Sequence, residues 1–431
     1  MKSGARTFAA LLFVVAGLAA SIALPAGADT VTSVTRVWVE PDGGYRFIDA
    51  AIEAARSSID LSMYELSDPT IEADLVAAAR RGVDVRVILN ADYDGKSANE
   101  SAMAVLRAGS VHVIWAPPDQ IYHAKYLVVD NSDAYIGTGN FVRSDYDSTR
   151  DFWVSVTQRA QVSAVVATFD SNYAGGVTTR QANGLVWSPG SSSPLIRLIS
   201  SARRSLLVEN EEMDSTPIED ALATDARRGV VVEVAMTEDS EWTAALERLA
   251  SAGVHVRLLS SSQVYVHAKI ICADCASSAG AVFIGSENFS TSSLDYNREL
   301  GVITSTRAVV NAVRSAAASD FAHGSALRAP PSGAPVSSSG GVTITSLIAS
   351  IAPGGYESLA AATPRPGQDC TLTVVLPSGY TSGASGLGEA TTNAQGRVSW
   401  NWRIGTSTDP GTASLRVSCA TGNTNATFTI T

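Results

Sequence analysis

The sequence predicts an α/β protein made of two similar lobes, followed by a small all-β module. Two observations predict the lobes: strand and helix patterns run through the chain twice in the same order, and one short polar motif occurs in each run. A third predicts the module, because residues 342–431 contain no lysine and alternate short strand patterns with Gly-, Pro- and Asn-rich turns. We therefore expect two lobes with mixed sheets flanked by helices, related by a pseudo-twofold axis.

The start of the chain predicts export. Within residues 1–28, Lys2 and Arg6 precede an apolar stretch, and Ala26-Gly27-Ala28 forms a small-x-small cleavage site. The alternative is an uncleaved membrane anchor, but the apolar stretch is short for crossing a bilayer. We expect a secreted protein whose net charge changes from −11 to −13 when the signal peptide is removed.

Strand and helix patterns alternate in the first lobe, predicted at 29–180. Helical spacing from Ile48 to Ala55 is followed by a strand pattern at 59–63 and a helix pattern at 71–78. That helix is expected to end at Arg80-Arg81-Gly82, since basic residues and glycine are typical of a helix C-terminus. A strand at 83–87, a helix near 98–108 and strands at 111–115 and 149–156 complete the lobe.

The same order returns in the second lobe, predicted at 181–325. A helix at 195–199 precedes a strand at 206–208, and a helix from Ile218 ends at Arg227-Arg228-Gly229. The Arg-Arg-Gly copies are separated by 147 residues, and other matching positions by 144 to 148. The nearly equal spacing indicates an internal duplication. Residues 326–341 are rich in Ala, Pro, Ser and Gly, and are predicted to be a linker.

Each lobe contains a motif that reads His-x-Lys, four residues, Asp, then Gly-x-x-Asn. Two of the five histidines of the chain begin the two copies. The first copy consists of His123, Lys125, Asp130 and Asn140, and the second of His267, Lys269, Asp274 and Asn288. Residues 122–130 and 266–274 are predicted strands, in which alternate side chains share a face. Each copy therefore places an imidazole beside an ammonium group, an arrangement that suits a phosphate with a nucleophile or proton donor next to it.

The duplicated motif resembles the phospholipase D superfamily, in which His-x-Lys-x4-Asp occurs twice in one chain. Residues 292–302 are similar to that family as well, and the resemblance covers residues 35–325. It implies two phospholipase D-like lobes that cleave a phosphodiester through a phosphohistidine, without a metal or other cofactor. By this resemblance His123 is the nucleophile and His267 the general acid and base, although the similarity of the halves leaves the reverse order open.

The resemblance also implies roles for the other candidates. Lys125 and Lys269 are expected to hold the non-bridging phosphate oxygens, with Asn140 and Asn288 beside them. Asp151 and Glu299 match the downstream acidic residues that orient the histidines in family members, although the first half has the shorter Asp. Asp130 and Asp274 are included among the catalytic candidates because they belong to the motif, with a more structural role expected of them.

Charge separates the expected substrates. An acidic protein is not attracted to nucleic-acid phosphates, so a phospholipid at a membrane surface is the expected substrate. The predicted reaction is head-group hydrolysis by a monomer, with transfer of the phosphatidyl group to an alcohol left open. The alternative is a secreted nuclease or other phosphodiesterase of the same superfamily.

The cysteines suggest a further structural prediction for an exported protein. Cys370 and Cys419 are predicted to pair and to close the C-terminal module, residues 342–431, as a small immunoglobulin-like sandwich. Cys272 and Cys275 predict either a small disulfide loop or two free thiols. A zinc site is disfavoured because no second cysteine pair matches them.

Overall fold

A computed structural model describes residues 34–92, 95–117, 120–327, 341–348, 350–384, 386–393, 395–405 and 408–431. The predicted signal peptide lies outside these residues, as does residue range 328–340 of the predicted linker. Within the described ranges, no helix is both long enough and apolar enough to cross a bilayer.

A mixed sheet flanked by helices forms the first lobe. Its elements are β1 (Val34–Glu40), α1 (Arg46–Ala54), β2 (Ser58–Met63), α2 (Pro69–Arg80), β3 (Asp84–Leu89), α3 (Gly95–Ala108), β4 (His112–Trp115), β5 (Tyr126–Val129), β6 (Asp133–Gly137), β7 (Thr149–Val156) and α4 (Arg159–Tyr173). The strand order is β1-β7-β6-β5-β2-β3-β4, with β2, β3 and β4 parallel and the other pairs antiparallel. The helices cover the parallel strands because each of these crossovers needs a connection long enough to form a helix.

The second lobe repeats this architecture. Its elements are β8 (Leu185–Ser188), α5 (Ser192–Ser201), β9 (Ser205–Glu209), β10 (Met213–Asp214), α6 (Thr216–Arg227), β11 (Val231–Thr237), a 3-10 turn (Ser240–Trp242), α7 (Thr243–Ser251), β12 (His255–Leu259), β13 (Tyr265–Val266), β14 (Ile270–Ala273), β15 (Ala281–Gly285), β16 (Phe289–Ser290), α8 (Thr291–Asp295), β17 (Glu299–Thr304), α9 (Arg307–His323) and β18 (Ser325–Ala326). The main sheet has the order β18-β12-β11-β9-β14-β15-β17-β8. Apart from β18, this is the strand order of the first lobe, so both halves carry the motif at the same place in the sheet.

The two lobes share one hydrophobic core. It joins buried residues of β5 and β7, such as Val128 and Phe152, to residues of β14 and β17, such as Ile270 and Val302. Separate cores lie in each lobe on the other side of its sheet. Because the shared core contains side chains from the central strands of both sheets, the ends of these strands, where the motifs lie, are held together.

Two sheets of short strands form the C-terminal module. Its strands are β19 (Thr343–Leu347), β20 (Ser350–Ile351), β21 (Tyr356–Ala362), β22 (Asp369–Val375), β23 (Gly388–Thr391), β24 (Arg397–Arg403), β25 (Gly411–Cys419) and β26 (Gly422–Ile430). The sheet orders are β19-β21-β24 and β20-β26-β25-β22-β23. Buried and exposed residues alternate along β22 and β24, and Trp400 and Trp402 enter a common core.

Cys370 and Cys419 form a disulfide with an S–S distance of 2.01 Å. They are directly opposite each other on β22 and β25, which are neighbours in one sheet. The bond therefore joins neighbouring strands of one sheet. The characteristic disulfide of an immunoglobulin domain instead joins its two sheets. The immunoglobulin-like classification stays a prediction.

Candidate active site

The two motif copies begin just outside the regular strands. Strands were expected at 122–130 and 266–274, but β5 and β14 start only at Tyr126 and Ile270. The reason is a competing partner: the backbone N–H groups of His123 and Ala124 donate to the Arg298 carbonyl of the other lobe, at 2.9 and 2.8 Å. In the second copy, β13 pairs with β7 of the first lobe. Each histidine is thus tied to the opposite half.

Each histidine is paired with an acidic residue of the other lobe. Nδ1 of His123 lies 2.9 Å from Oε2 of Glu299, and Nδ1 of His267 lies 2.9 Å from Oδ1 of Asp151. Asp151 follows Arg150, which pairs with Val266 just before the second motif. Glu299 follows Arg298, which pairs with Tyr122 just before the first motif. The exchange is reciprocal, as expected of two halves related by a twofold axis. The shorter Asp151 reaches its histidine at the same distance as the longer Glu299.

Hydroxyl groups fix the two orienting acids. Thr138 donates to Oδ1 of Asp151 at 2.5 Å, and Ser286 donates to Oε2 of Glu299 at 2.6 Å. Ser293 adds a second bond to Glu299, at 2.8 Å. These hydroxyl residues were not predicted from the sequence. A signal was present, because Thr138 and Ser286 occupy the same place within the two Gly-x-x-Asn segments.

Both histidines line a single cavity of about 470 Å³. Asn140 and Asn288 also line it, as the sequence predicted. The remaining lining residues are mainly tyrosines and acids: Tyr45, Tyr64, Glu65, Asp145, Ser148, Thr149, Asp151, Glu211, Glu212 and Tyr265. Apart from Asp151, these acids were not predicted, because they lie far apart in the sequence on loops of both lobes.

The motif lysines are buried behind the wall of the cavity and do not line it. Lys125 donates to the carbonyl of His123, and its Nζ lies 4.9 Å from the centre of the Tyr64 ring. Lys269 donates to the carbonyl of His267 and to Oε2 of Glu211, the latter at 2.9 Å. Burial lowers the pKa of Lys125 to about 7, although the charge of Glu299 opposes this. Both lysine nitrogens thus lie buried close to the surface of the cavity.

Electrostatics favour a neutral His123. Burial, helped by the charges of Lys125 and Lys269, lowers the pKa of this histidine to about 4, although Glu299 acts in the opposite direction. Burial alone would raise the pKa of Glu299, but the contacts with His123 and Lys125 and the bond from Ser286 hold it below its usual value. An ionised carboxylate only accepts hydrogen bonds, so Nδ1 of a neutral His123 carries the proton and Nε2 keeps its lone pair.

His267 has carboxylates near both ring nitrogens. Besides Asp151 at Nδ1, Oε2 of Glu211 lies 3.5 Å from Nε2. Burial alone would raise the pKa of Asp151, but the charge and hydrogen bond of His267, the charge of Lys269 and the bond from Thr138 lower it below its usual value. His267 thus lies between two carboxylates that come from different lobes.

Asp130 and Asp274, which were included among the catalytic candidates, are acceptors for backbone N–H groups in the structure. Oδ1 of Asp130 accepts from the backbone N–H of Ser57 at 2.7 Å, and Oδ1 of Asp274 accepts from that of Arg204 at 2.8 Å. Neither carboxylate lines the cavity. Both have a positive φ, 51° and 48°, in the turn after the motif strand. They anchor the backbone entering β2 and β9.

Of the two states left open for Cys272 and Cys275, the structure has the disulfide, with an S–S distance of 2.08 Å. It joins the end of β14 to the turn that leads to β15. Both cysteines are buried, and neither lines the cavity. This bond therefore belongs to the frame of the second lobe.

Comparison with known proteins gives the same repeat and the same fold. The family model described as cardiolipin synthase, PLD-like domain, matches residues 48–173 and again residues 195–321. The phospholipase D of Rickettsia bellii (strain RML369-C) is 30% identical over 110 residues, which are 26% of this chain and 54% of that protein. The chain thus spans about half the length of this curated relative.

Two solved structures share the fold. The polyphosphate kinase of Porphyromonas gingivalis has a TM-score of 0.53 at 17% identity, over 66% of this chain and 50% of that one. The phosphatidylserine synthase of Haemophilus influenzae Rd KW20 has a TM-score of 0.53 at 12% identity, over 68% and 87%. The two family-model matches cover more than half of the sequence, one in each lobe. The chain therefore belongs to the phospholipase D-like family of phosphodiesterases.

Proposed function

We propose that the protein is a secreted phospholipase D-type enzyme that hydrolyses the head-group phosphodiester of phospholipids through a phosphohistidine. The observation that carries this proposal is the single cavity with two imidazoles, each oriented by an acid of the opposite lobe. Such a pair supplies a nucleophile on one side of a phosphorus atom and a proton donor on the other.

In the first displacement, Nε2 of His123 attacks phosphorus. The nitrogen–phosphorus bond forms as the bond from phosphorus to the head-group oxygen breaks, and His267 gives its Nε2 proton to that oxygen. The neutral His123, with its proton held on Nδ1 by Glu299, is the form that can attack. Lys125 and Lys269 stabilise the negative charge on the non-bridging oxygens from just behind the cavity wall.

In the second displacement, the neutral His267 takes a proton from water while the water oxygen attacks phosphorus. The nitrogen–phosphorus bond breaks, its electron pair returns to His123, and phosphatidate leaves. An alcohol in place of water gives a new phosphatidyl ester by the same steps. Asn140 and Asn288 line the cavity beside the histidines, where their amides can donate to the phosphoryl oxygens.

The lining of the cavity supports a lipid over a nucleic acid. Five of its residues are acidic, and among the residues that the structure describes, no lysine or arginine lines it. A polyanionic strand needs several cationic contacts along its length, whereas a single phosphodiester needs only the buried lysines. The local similarity to a protein named phospholipase D supports the same choice.

The test compares phosphatidylcholine vesicles with plasmid DNA, both in EDTA, using the wild-type protein and His267→Ala. We expect release of the head group from the vesicles, an intact plasmid, and loss of lipid turnover in the variant. Cleavage of DNA without lipid turnover would contradict the lipid assignment and favour the nuclease alternative. Mass spectrometry after rapid quenching with a short-chain lipid should locate phosphate on His123.

A further inference from the structure

Glu211 contacts the donors that are expected to hold the phosphate in the second half. Its Oε2 lies 2.9 Å from Nζ of Lys269, 3.4 Å from Nδ2 of Asn288 and 3.5 Å from Nε2 of His267. The Asn288 amide also donates to Oε1 of Glu212, at 2.7 Å. The other oxygen, Oε1, accepts a hydrogen bond from the hydroxyl of Tyr265 at 2.8 Å. One carboxylate oxygen thus occupies the position where a lysine, an amide and an imidazole converge.

The first half has a different residue at the equivalent place. Asp130 bonds the backbone N–H of Ser58, and Asp274 bonds that of Ser205; six residues beyond these anchors lie Tyr64 and Glu211. The Tyr64 ring packs edge-on against His123, with centroids 4.6 Å apart, and lies against Lys125. An uncharged ring in one half corresponds to a carboxylate in the other.

A carboxylate in this position resembles a phosphate oxygen pair in charge and hydrogen bonding. Burial alone would raise the pKa of Glu211, but Lys269, His267 and Tyr265 hold it far below its usual value, so the side chain stays ionised. A phosphodiester that needs the same donors meets a negative charge already bound to them. The carboxylate of Glu211 and the phosphodiester therefore cannot bind these donors at the same time.

We infer that Glu211 is an internal competitor of the substrate phosphate, and that the substrate binds only when it displaces this carboxylate from Lys269, His267 and Asn288. The inference rests on the proposed function only in assuming that the cavity binds a phosphodiester. Tyr265 remains bonded to Oε1 and provides a partner for the displaced side chain. The residue thereby sets how tightly the site binds a phosphate, and selects substrates whose other contacts offset the exchange.

A second interpretation of Glu211 predicts the opposite change in phosphate affinity. If Glu211 chiefly holds Lys269 in place, removing its charge should weaken phosphate binding, because a fully buried lysine without a partner is costly. The first half favours competition, since Lys125 is equally buried and no ion pair joins it to a described carboxylate. The cost of this burial is visible in the pKa of Lys125, which is lowered to about 7, still above the pH 6 of the experiment below. A lysine of this site thus remains in position with a ring and a carbonyl for partners.

The experiment measures binding of inorganic phosphate at pH 6 by calorimetry, with Glu211→Gln and the control Glu212→Gln. Glu212 lines the same cavity and accepts a hydrogen bond from Asn288, which the oxygen of a glutamine can also accept. Burial and the charge of Glu211 raise the pKa of Glu212 to about 7, so at pH 6 its replacement removes little charge. We expect Glu211→Gln to lower the Kd for phosphate at least about tenfold, and Glu212→Gln to change it less than about threefold.

Unchanged or weaker phosphate binding in a folded Glu211→Gln protein overturns the inference, as does equal tightening in both variants. If Glu211→Gln does not fold, Glu211→Asp withdraws the carboxylate by one carbon and should tighten binding to a smaller extent; a Kd equal to that of wild type then overturns it. Phosphate binding requires no turnover, so tighter binding without lipid hydrolysis would contradict the proposed function and leave the role of Glu211 standing.

Discussion

The two halves of the active site share a frame but differ in charge. Both present a histidine before the motif strand, a buried lysine, an amide and an acid contributed by the opposite lobe. His123 lies against Tyr64, whereas His267 lies between Asp151 and Glu211. Duplication thus kept the geometry of the two halves, while a few residues around each histidine give it different surroundings.

Replacing the two histidines should have the greatest effect on activity, and the two variants should differ in which substrates they still cleave. His123→Ala should lower kcat by about 10⁴-fold or more, because it removes the proposed nucleophile and with it the covalent intermediate. His267→Ala should lose about 10²- to 10⁴-fold with a lipid, but much less with a 4-nitrophenyl phosphodiester, whose leaving group needs no proton.

Rapid-quench kinetics check this prediction. His267→Ala should still release a burst of nitrophenol and accumulate phosphohistidine, whereas His123→Ala should not. The thermal melts of both variants serve as controls and should stay close to that of wild type. A burst from His123→Ala and none from His267→Ala would show that the roles are reversed.

The second expected effect concerns pH. Because attack needs the unprotonated ring and the pKa of His123 is lowered to about 4, kcat/KM should rise with pH through about 4, well below the usual value of 6.5. Glu299→Gln removes a carboxylate that raises this pKa, so the acid limb should move to lower pH, and kcat should fall because the Nδ1–H tautomer is no longer enforced.

The pH dependence of kcat/KM measured on a soluble diester checks both statements, with the melt recorded at each pH to exclude unfolding. Asp151→Asn is the matched variant in the other half. It removes the partner of His267 and should leave the acid limb of His123 nearly in place. An acid limb near 6.5 in the wild-type protein would contradict the assignment of a neutral, buried nucleophile.

Replacing Asp130 and Asp274, which occupy matching positions in the two halves, should have the least effect on kcat. Asp130→Asn and Asp274→Asn should each destabilise the fold by about 1–3 kcal/mol, since charge-assisted bonds to backbone N–H groups are weakened, while kcat stays near wild type. The backbone bonds hold the pKa of both carboxyls below the usual value, although burial opposes this.

A carboxyl with a lowered folded pKa contributes stability that is present at neutral pH and lost as the pH falls through that folded value. The difference between wild type and Asp130→Asn in urea unfolding should therefore shrink in acid. Loss of activity without loss of stability in either variant would restore these residues to the catalytic set.

Most helices and strands of the two lobes could be predicted from the sequence alone. Periodic patterns placed most helices and strands of both lobes, and the paired motifs identified His123, His267, Asn140 and Asn288, which the structure brings to one cavity. Local patterns carry such information because strands and helices with one buried face repeat at fixed periods.

Contacts between the lobes could not be predicted in this way. Nothing in the local sequence around His123 points to Glu299, which is 176 positions away, and the start of the motif strand depends on a carbonyl of the other lobe. The same limit applies to Glu211, whose position after β9 shows its importance only when β9 is compared with β2. Long-range pairing, not local propensity, decides these features.

The reciprocal contacts have a consequence for ancestry. A protein with one copy of the motif would lack the carboxylate for its own imidazole, so it would have to assemble with a second chain to make one complete site. In such a homodimer every position is identical on both sides. Only after fusion into one gene could a tyrosine persist at 64 while a glutamate occupied 211. The two imidazoles could then take different roles in one reaction.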